Sequence, residues 1–175
     1  MAKNQKIIDQ LIADLNSGKS KTILEAIVTA RQKGDETVVP HIIKLLSSKN
    51  EEIATSAQNT LFDLKDMASV GAILDNFDAL QDLKVKNVLL QSLWQSNIQP
   101  VNYVGRLSKI AVNGTLEDSI EIFSIITNMI DVQIPDAECM EAILVINNGI
   151  EKIKDKHQAT LLKDIVGFLN EHMEY

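Results

Sequence analysis

Cysteine is nearly absent from this chain. Cys139 is the only one, so no internal disulfide can form, and the cytoplasm is the expected compartment. Three prolines and seven glycines leave few interruptions, and most of them fall between periodic segments. Strict alternation of apolar and polar residues is nearly missing, which argues against strands. No apolar run approaches the ~20 residues of a membrane-spanning helix, so no membrane is expected as a partner. The opening MAKNQKIIDQ has no long apolar stretch, because Asp9 interrupts the only candidate, and a signal peptide is not expected. No GxGxxG, P-loop, GxSxG or HExxH motif occurs. No cofactor is implied.

Basic charge is also scarce after the first third. Residues 1–50 carry eight Lys/Arg against five Asp/Glu, net +3, whereas residues 51–175 carry nine against nineteen, net −10. Proteins that grip nucleic acid do so with a basic stripe that displaces counterions from phosphates. This chain has the opposite balance, and nucleic acid is not an expected partner. Metal sites on helices need ligands three or four positions apart, a spacing that His41, His157 and His172 do not offer. Cys139 has no histidine within fifteen positions, so a Cys/His nucleophile has no local support. No metal and no enzymatic activity are expected.

What is present is periodicity. The chain of 175 residues, 45% apolar and 23% charged, suits one globular domain over 1–175. Polar turns divide it into about ten helices. The first spans roughly 4–16 and stops at Ser17-Gly18. Ser20, Thr37, Asn50, Asp82 and Thr115 stand where helix caps belong. Asp118, three positions after Thr115, completes an Asp version of the capping box. Pro40 falls in a first turn, Pro100 opens the fourth pair of helices, and Pro135-Asp136 opens the fifth. A break is expected at Asn147-Asn148-Gly149. Ten helices make five antiparallel hairpins, whose second helices begin near Ser20, Asn50, Asp82, Thr115 and Lys156. The first three intervals between these starts are nearly equal, at thirty to thirty-three positions, and the last is longer. A near-regular period of that size marks an array of repeated units.

The units align internally. Ile53, Ala57 and Leu61 precede Val85, Leu89 and Leu93 by one common interval of thirty-two positions, and each set forms one apolar stripe. With Pro40 early in its first helix and Leu45-Leu46 before its turn, the unit from Val38 to Leu64 resembles a HEAT repeat. The resemblance implies an all-α, right-handed α-solenoid of about five HEAT-like hairpins. It also implies a non-enzymatic scaffold that binds a protein or peptide on the concave face lined by second helices. The family usually places Arg directly after the first stripe residue. Ala54 and Lys86 stand there instead, so the Asp–Arg ladder of longer members is not implied. Some HEAT-like proteins are DNA glycosylases, an alternative that the acidic balance disfavours.

Aromatic residues are rare, at 4% of the chain. Phe62 and Trp94 are separated by the same repeat interval, and each lies nine positions beyond the first member of its stripe, about half a turn away from it. Thr55, Asn59, Asn87 and Gln91 flank them. Two outcomes are open: an exposed aromatic pair that anchors a partner, or two rings filling the seam between repeats. A second candidate surface is the segment 110–151, which has eight acids and no Lys or Arg. Either it steers a basic partner, or its acids serve helix caps and solubility. In the last helix Leu161, Ile165, Phe168 and Leu169 form an apolar face, with Lys163, Asp164, Glu171 and Glu174 elsewhere. That pattern suits a terminal cap in a monomer, with a dimerisation helix as the alternative.

Overall fold

A computed structural model describes residues 2–96, 98–129 and 131–173, with side chains from Gln5 onward. Within those residues every regular element is helical. The helices gather into two compact units, Met1–Ile98 and Gln99–Tyr175.

The first unit holds six helices: α1 (Ala2–Leu15), α2 (Ser20–Lys33), α3 (Val39–Leu45), α4 (Glu51–Phe62), α5 (Met67–Ala79) and α6 (Leu83–Gln95). They pair as hairpins, α1 with α2, α3 with α4 and α5 with α6. In addition α2 packs on α4 and α4 on α6, while α1 packs on α3 and α3 on α5. The two stripes expected from the internal alignment are buried in full: Ile53, Ala57, Leu61, Val85, Leu89 and Leu93. Hairpin-to-hairpin contact between second helices contributes to burying them.

Side chains at the turns fix where the helices start. Asn50 Oδ1 accepts from the backbone N–H of Glu52 and Ile53, and Asp82 Oδ1 does the same for Lys84 and Val85. Gly18 has φ +72° with open space around it, so the turn between α1 and α2 needs glycine for its backbone rather than for room. Two expected caps are placed differently. Ser20 is already helical, and its Oγ accepts from Asn50 Nδ2 at 3.4 Å, which ties the start of α2 to the start of α4. Thr37 is not a cap either. Asp35 caps a 3-10 turn, Glu36–Val38, that leads into α3, and Thr37 donates to it through both N–H and hydroxyl. Aspartate accepts more strongly than a hydroxyl oxygen, so the earlier residue takes the cap.

The second unit holds α7 (Val104–Asn113), α8 (Leu116–Thr127), α9 (Asp136–Gly149) and α10 (Lys156–Met173). Here α7 pairs with α8 and α9 with α10, while α7 packs on α9 and α8 on α10. Thr115 and Asp118 form the capping box. The expected break after Asn148 is the end of α9 at Gly149, followed by a 3-10 turn. A Cβ at Gly149 would collide with Val112 of α7, so the close crossing of α7 and α9 requires glycine there. Asp155 Oδ1 accepts from the N–H of Gln158 and His157 at the start of α10. These bonds, Gln158 first, hold its carboxyl below the usual range.

The core of this unit contains one polar key. Gln158 of α10 is buried, and its Nε2 donates to Ala111 O at 3.0 Å, Ser119 Oγ at 3.1 Å and Gly114 O at 3.2 Å. Carbonyl oxygens can only accept, so the NH2 end must face them. One amide thereby closes the turn between α7 and α8 onto α10. The apolar face of α10 is also shifted from expectation. Leu162, Ile165 and Leu169 are buried, whereas Leu161 and Phe168 are half-buried, and the Phe168 ring stacks on His172. Lys163, Asp164 and Glu171 are exposed, and Glu174 lies outside the described residues.

These contacts make two predictions. Gln158→Leu removes the amide donor to Gly114 O and Ser119 Oγ, while Ala111 O keeps the Ser119 hydroxyl at 2.9 Å, and should lower unfolding stability by about 1–3 kcal/mol in urea titrations. Gln158→Glu should be worse, because it sets a carboxylate against carbonyl oxygens. In the first unit, Asn16 Nδ2 donates to His41 Nδ1 at 2.9 Å, so that imidazole is neutral. Burial first, then Lys44, holds His41 below its ordinary value of 6.5. The unfolded chain therefore binds the proton more readily. The stabilisation is complete above pH 6.5 and is lost as pH falls from there through the lowered value. Melting temperature should decline over that window less in His41→Gln, whose amide can still accept from Asn16, than in the wild type.

Candidate functional site

The six candidate residues lie on α4 and α6, neighbouring second helices that pack on each other. Thr55 and Asn59 are exposed on α4, and Phe62 at its end is half-buried. On α6, Asn87 and Gln91 are half-buried, and Trp94 keeps 37% of its surface in contact with solvent. The two rings are therefore not equivalent despite their shared place in the repeat. Phe62 is the more enclosed, and Trp94 is the one that presents a large apolar surface.

Charge frames this patch without entering it. The six side chains are uncharged. Beside them Lys86, which stands where the HEAT pattern has Arg, places its Nζ 4.7 Å from the centre of the Phe77 ring, a cation–π contact within the first unit. Asp63, directly after Phe62, pairs with Arg31 at the end of α2. Lys109 and Glu141 pair at 2.6 Å between α7 and α9. Both ion pairs span the interval that separates the two apolar stripes, and so each joins equivalent positions of successive hairpins. The sequence contains this signal, but at helix positions other than those of Ala54 and Lys86.

None of the eight acids in the acidic segment is buried, but several bond within the fold. Asp118 serves the capping box. Glu138 Oε2 accepts from Gly105 N–H at 2.9 Å, capping α7 from a neighbouring helix, and Glu141 holds Lys109. Glu121 is engaged as well. Caps and pairing, the structural role open for this segment, occupy these acids.

Two of the titratable candidates, Cys139 and His172, are engaged within the fold. The thiol of Cys139 is fully buried, and burial first, then Asp136 and Glu138, pushes its pKa up. A thiolate nucleophile is therefore disfavoured. His172 Nε2 accepts from Ile134 N–H at 3.1 Å, anchoring the segment before α9, and His157 lies exposed at the start of α10. Among the described residues no group of three or more His, Cys, Asp or Glu is placed to hold a metal ion, and no helix is long and apolar enough to cross a membrane.

Neither a family model, a curated protein nor a solved structure matches this chain.

Trp94, the sole tryptophan, reports directly on the patch. Its emission should be red-shifted relative to a buried indole and open to quenching by acrylamide. Trp94→Ala should cost less than about 2 kcal/mol in urea unfolding, below the ~3–5 kcal/mol of a fully buried aromatic. Blue, protected emission with a cost in the higher range would put the ring in a packed seam.

Proposed function

We propose that this protein is a non-enzymatic scaffold built from HEAT-like hairpins, three in the first unit and two in the second. It binds a protein or peptide across the second helices α4 and α6. The observation that carries this reading is Trp94: a large aromatic exposed at a helix surface, among uncharged polar side chains that can hydrogen-bond a peptide backbone. Aromatic residues with an apolar body and a polar tip are frequent anchors of protein interfaces. The packing of second helix on second helix, with buried stripes at the repeat interval, supports the HEAT-like arrangement. The formal balance of −10 after residue 50 favours a basic partner over an acidic one and stands against nucleic acid. The intramolecular roles of Asp118, Glu138 and Glu141 favour α4 and α6 over the acidic segment as the binding surface.

A peptide display library selected on the immobilised protein tests the reading. Selected peptides should lose about 2 kcal/mol or more of affinity, the scale of an interface hot spot, against Trp94→Ala. Asn59→Ala and Asn87→Ala should reduce affinity less. Binders indifferent to Trp94 and Phe62 would remove α4 and α6 as the site. Duplex DNA should bind no tighter than about 10⁻⁶ M at physiological salt. Tight binding with a steep salt dependence would replace the scaffold reading with a nucleic-acid one.

A further inference from the structure

The side chains of α1 are charged against its own backbone dipole. A helix is positive at its N-terminal end and negative at its C-terminal end, so acids suit the start and bases the finish. In α1 both bases, Lys3 and Lys6, fall in the first half and both acids, Asp9 and Asp14, in the second. Its first turn has no acid and its last turn no base. A base before an acid is also the less favourable order along a helix. Local rules are broken in this way mostly at functional sites, and α1 borders an open groove. The groove, of about 510 Å³, runs between α1 and α2 with Ile7, Leu11 and Ala26 on its apolar floor, a volume within the range of ligand sites. All of its lining residues lie on α1 or α2, and the three that carry charge are Lys6, Asp14 and Glu25.

These charges are sorted along the groove. Lys6 and Asp14 are separated by ~12 Å along the axis of α1. Gln10 stands five residues before the end of α1 at Leu15, and Glu25 five after the start of α2 at Ser20, so the hairpin sets Glu25 near the middle. One end of the groove is therefore basic, and the middle and far end are acidic. The bases of α2, Lys21, Arg31 and Lys33, line no part of it. Among the described residues no ion pair engages Lys6, Asp14 or Glu25. A helix laid antiparallel to α1 matches that order, because its positive N-terminal end meets Asp14 and Glu25 and its negative C-terminal end meets Lys6. We propose that the groove binds an amphipathic α-helix of another protein in this orientation. Its apolar stripe rests on Ile7, Leu11 and Ala26, with a base in its N-terminal half and an acid in its C-terminal half. A second copy of the chain fits less well. Its α1 has the right order of charge, but Ile7, at 38%, is the only large apolar side chain that α1 exposes, too little to fill the groove. Its α9 exposes Met140 and Leu144 but carries only acids, which Asp14 and Glu25 repel. The groove is separate from the surface on α4 and α6.

The test uses a synthetic amphipathic helix of about twelve residues, a little over three turns. It carries leucines along one face, a lysine toward its N-terminus and a glutamate toward its C-terminus. A side-chain bridge holds it helical, because free peptides of that length are marginal. It should bind the full chain, and Ile7→Glu should weaken binding at least ~10-fold in fluorescence anisotropy, with helicity unchanged. If Ile7→Glu lowers helicity, Thr29→Arg takes its place and narrows the groove at the Lys6 end. A spin label on the peptide N-terminus should broaden the amide signals of α1 near Asp14 and not those near Lys6. In the exchange variant, Lys6→Asp with Asp14→Lys, the broadening should move to the other end. That variant should melt no lower than the wild type, since its charges then follow the dipole of α1. No binding, binding that survives both groove variants, or a label that reads at the Lys6 end or stays in place after the exchange overturns the proposal. Binding lost in Trp94→Ala overturns it too, by putting the helix on α4 and α6. Self-association that the peptide cannot displace does the same, by giving the groove to a second copy.

Discussion

Helices of seven to eighteen residues are marginal on their own in water, and in this protein each packs on a helix of a neighbouring hairpin within its own unit. That dependence governs the rest of the structure. The stripe Ile53, Ala57 and Leu61 belongs to a helix with neighbours outside its own hairpin on two sides, because α4 sits between α2 and α6. Ala57, with no exposed surface, is small enough to let the backbones approach. In the second unit the same requirement is met partly by polar atoms. The Gln158 amide shares Ala111 O with the Ser119 hydroxyl and also donates to Gly114 O, and acceptors left unmet in a buried site are costly.

Polar contacts between hairpins recur at or near the repeat interval: Arg31 with Asp63, Lys109 with Glu141, and Ser20 with Asn50. The ion pairs are about half-exposed, so each contributes little energy. Each joins one hairpin to the next at a fixed offset along the chain.

Much of the helical layout is legible in the sequence because its signals are local. Asn50, Asp82 and Thr115 cap through atoms two or three positions away, and the stripes repeat every three or four. The features that stay hidden depend on distance or on choosing between adjacent candidates. Asp35 and Thr37 both suit a cap, and only their packing shows that aspartate takes the role. Leu161 and Leu162 are neighbours, so the burial of Leu162 depends on how α10 rotates against α8. Gln158 lies 47 residues from Ala111, and nothing near it in sequence distinguishes it from a surface glutamine. At the candidate site, the repeat relation of Phe62 and Trp94 is visible in the sequence. The greater exposure of Trp94 is not, because it depends on which side chains pack over each ring.

The contact pattern has a kinetic meaning. Within each unit a helix touches the one beside it and the one two places along, so most packing closes short loops of chain. Short loops cost little entropy to close, and folding speeds up as contacts become more local. Any hairpin can serve as the first to form and template its neighbour, as in linear arrays. The exception is the key on α10. Gln158 can make its bonds only once the turn near Gly114 exists, so this contact forms after the pairing of α7 with α8.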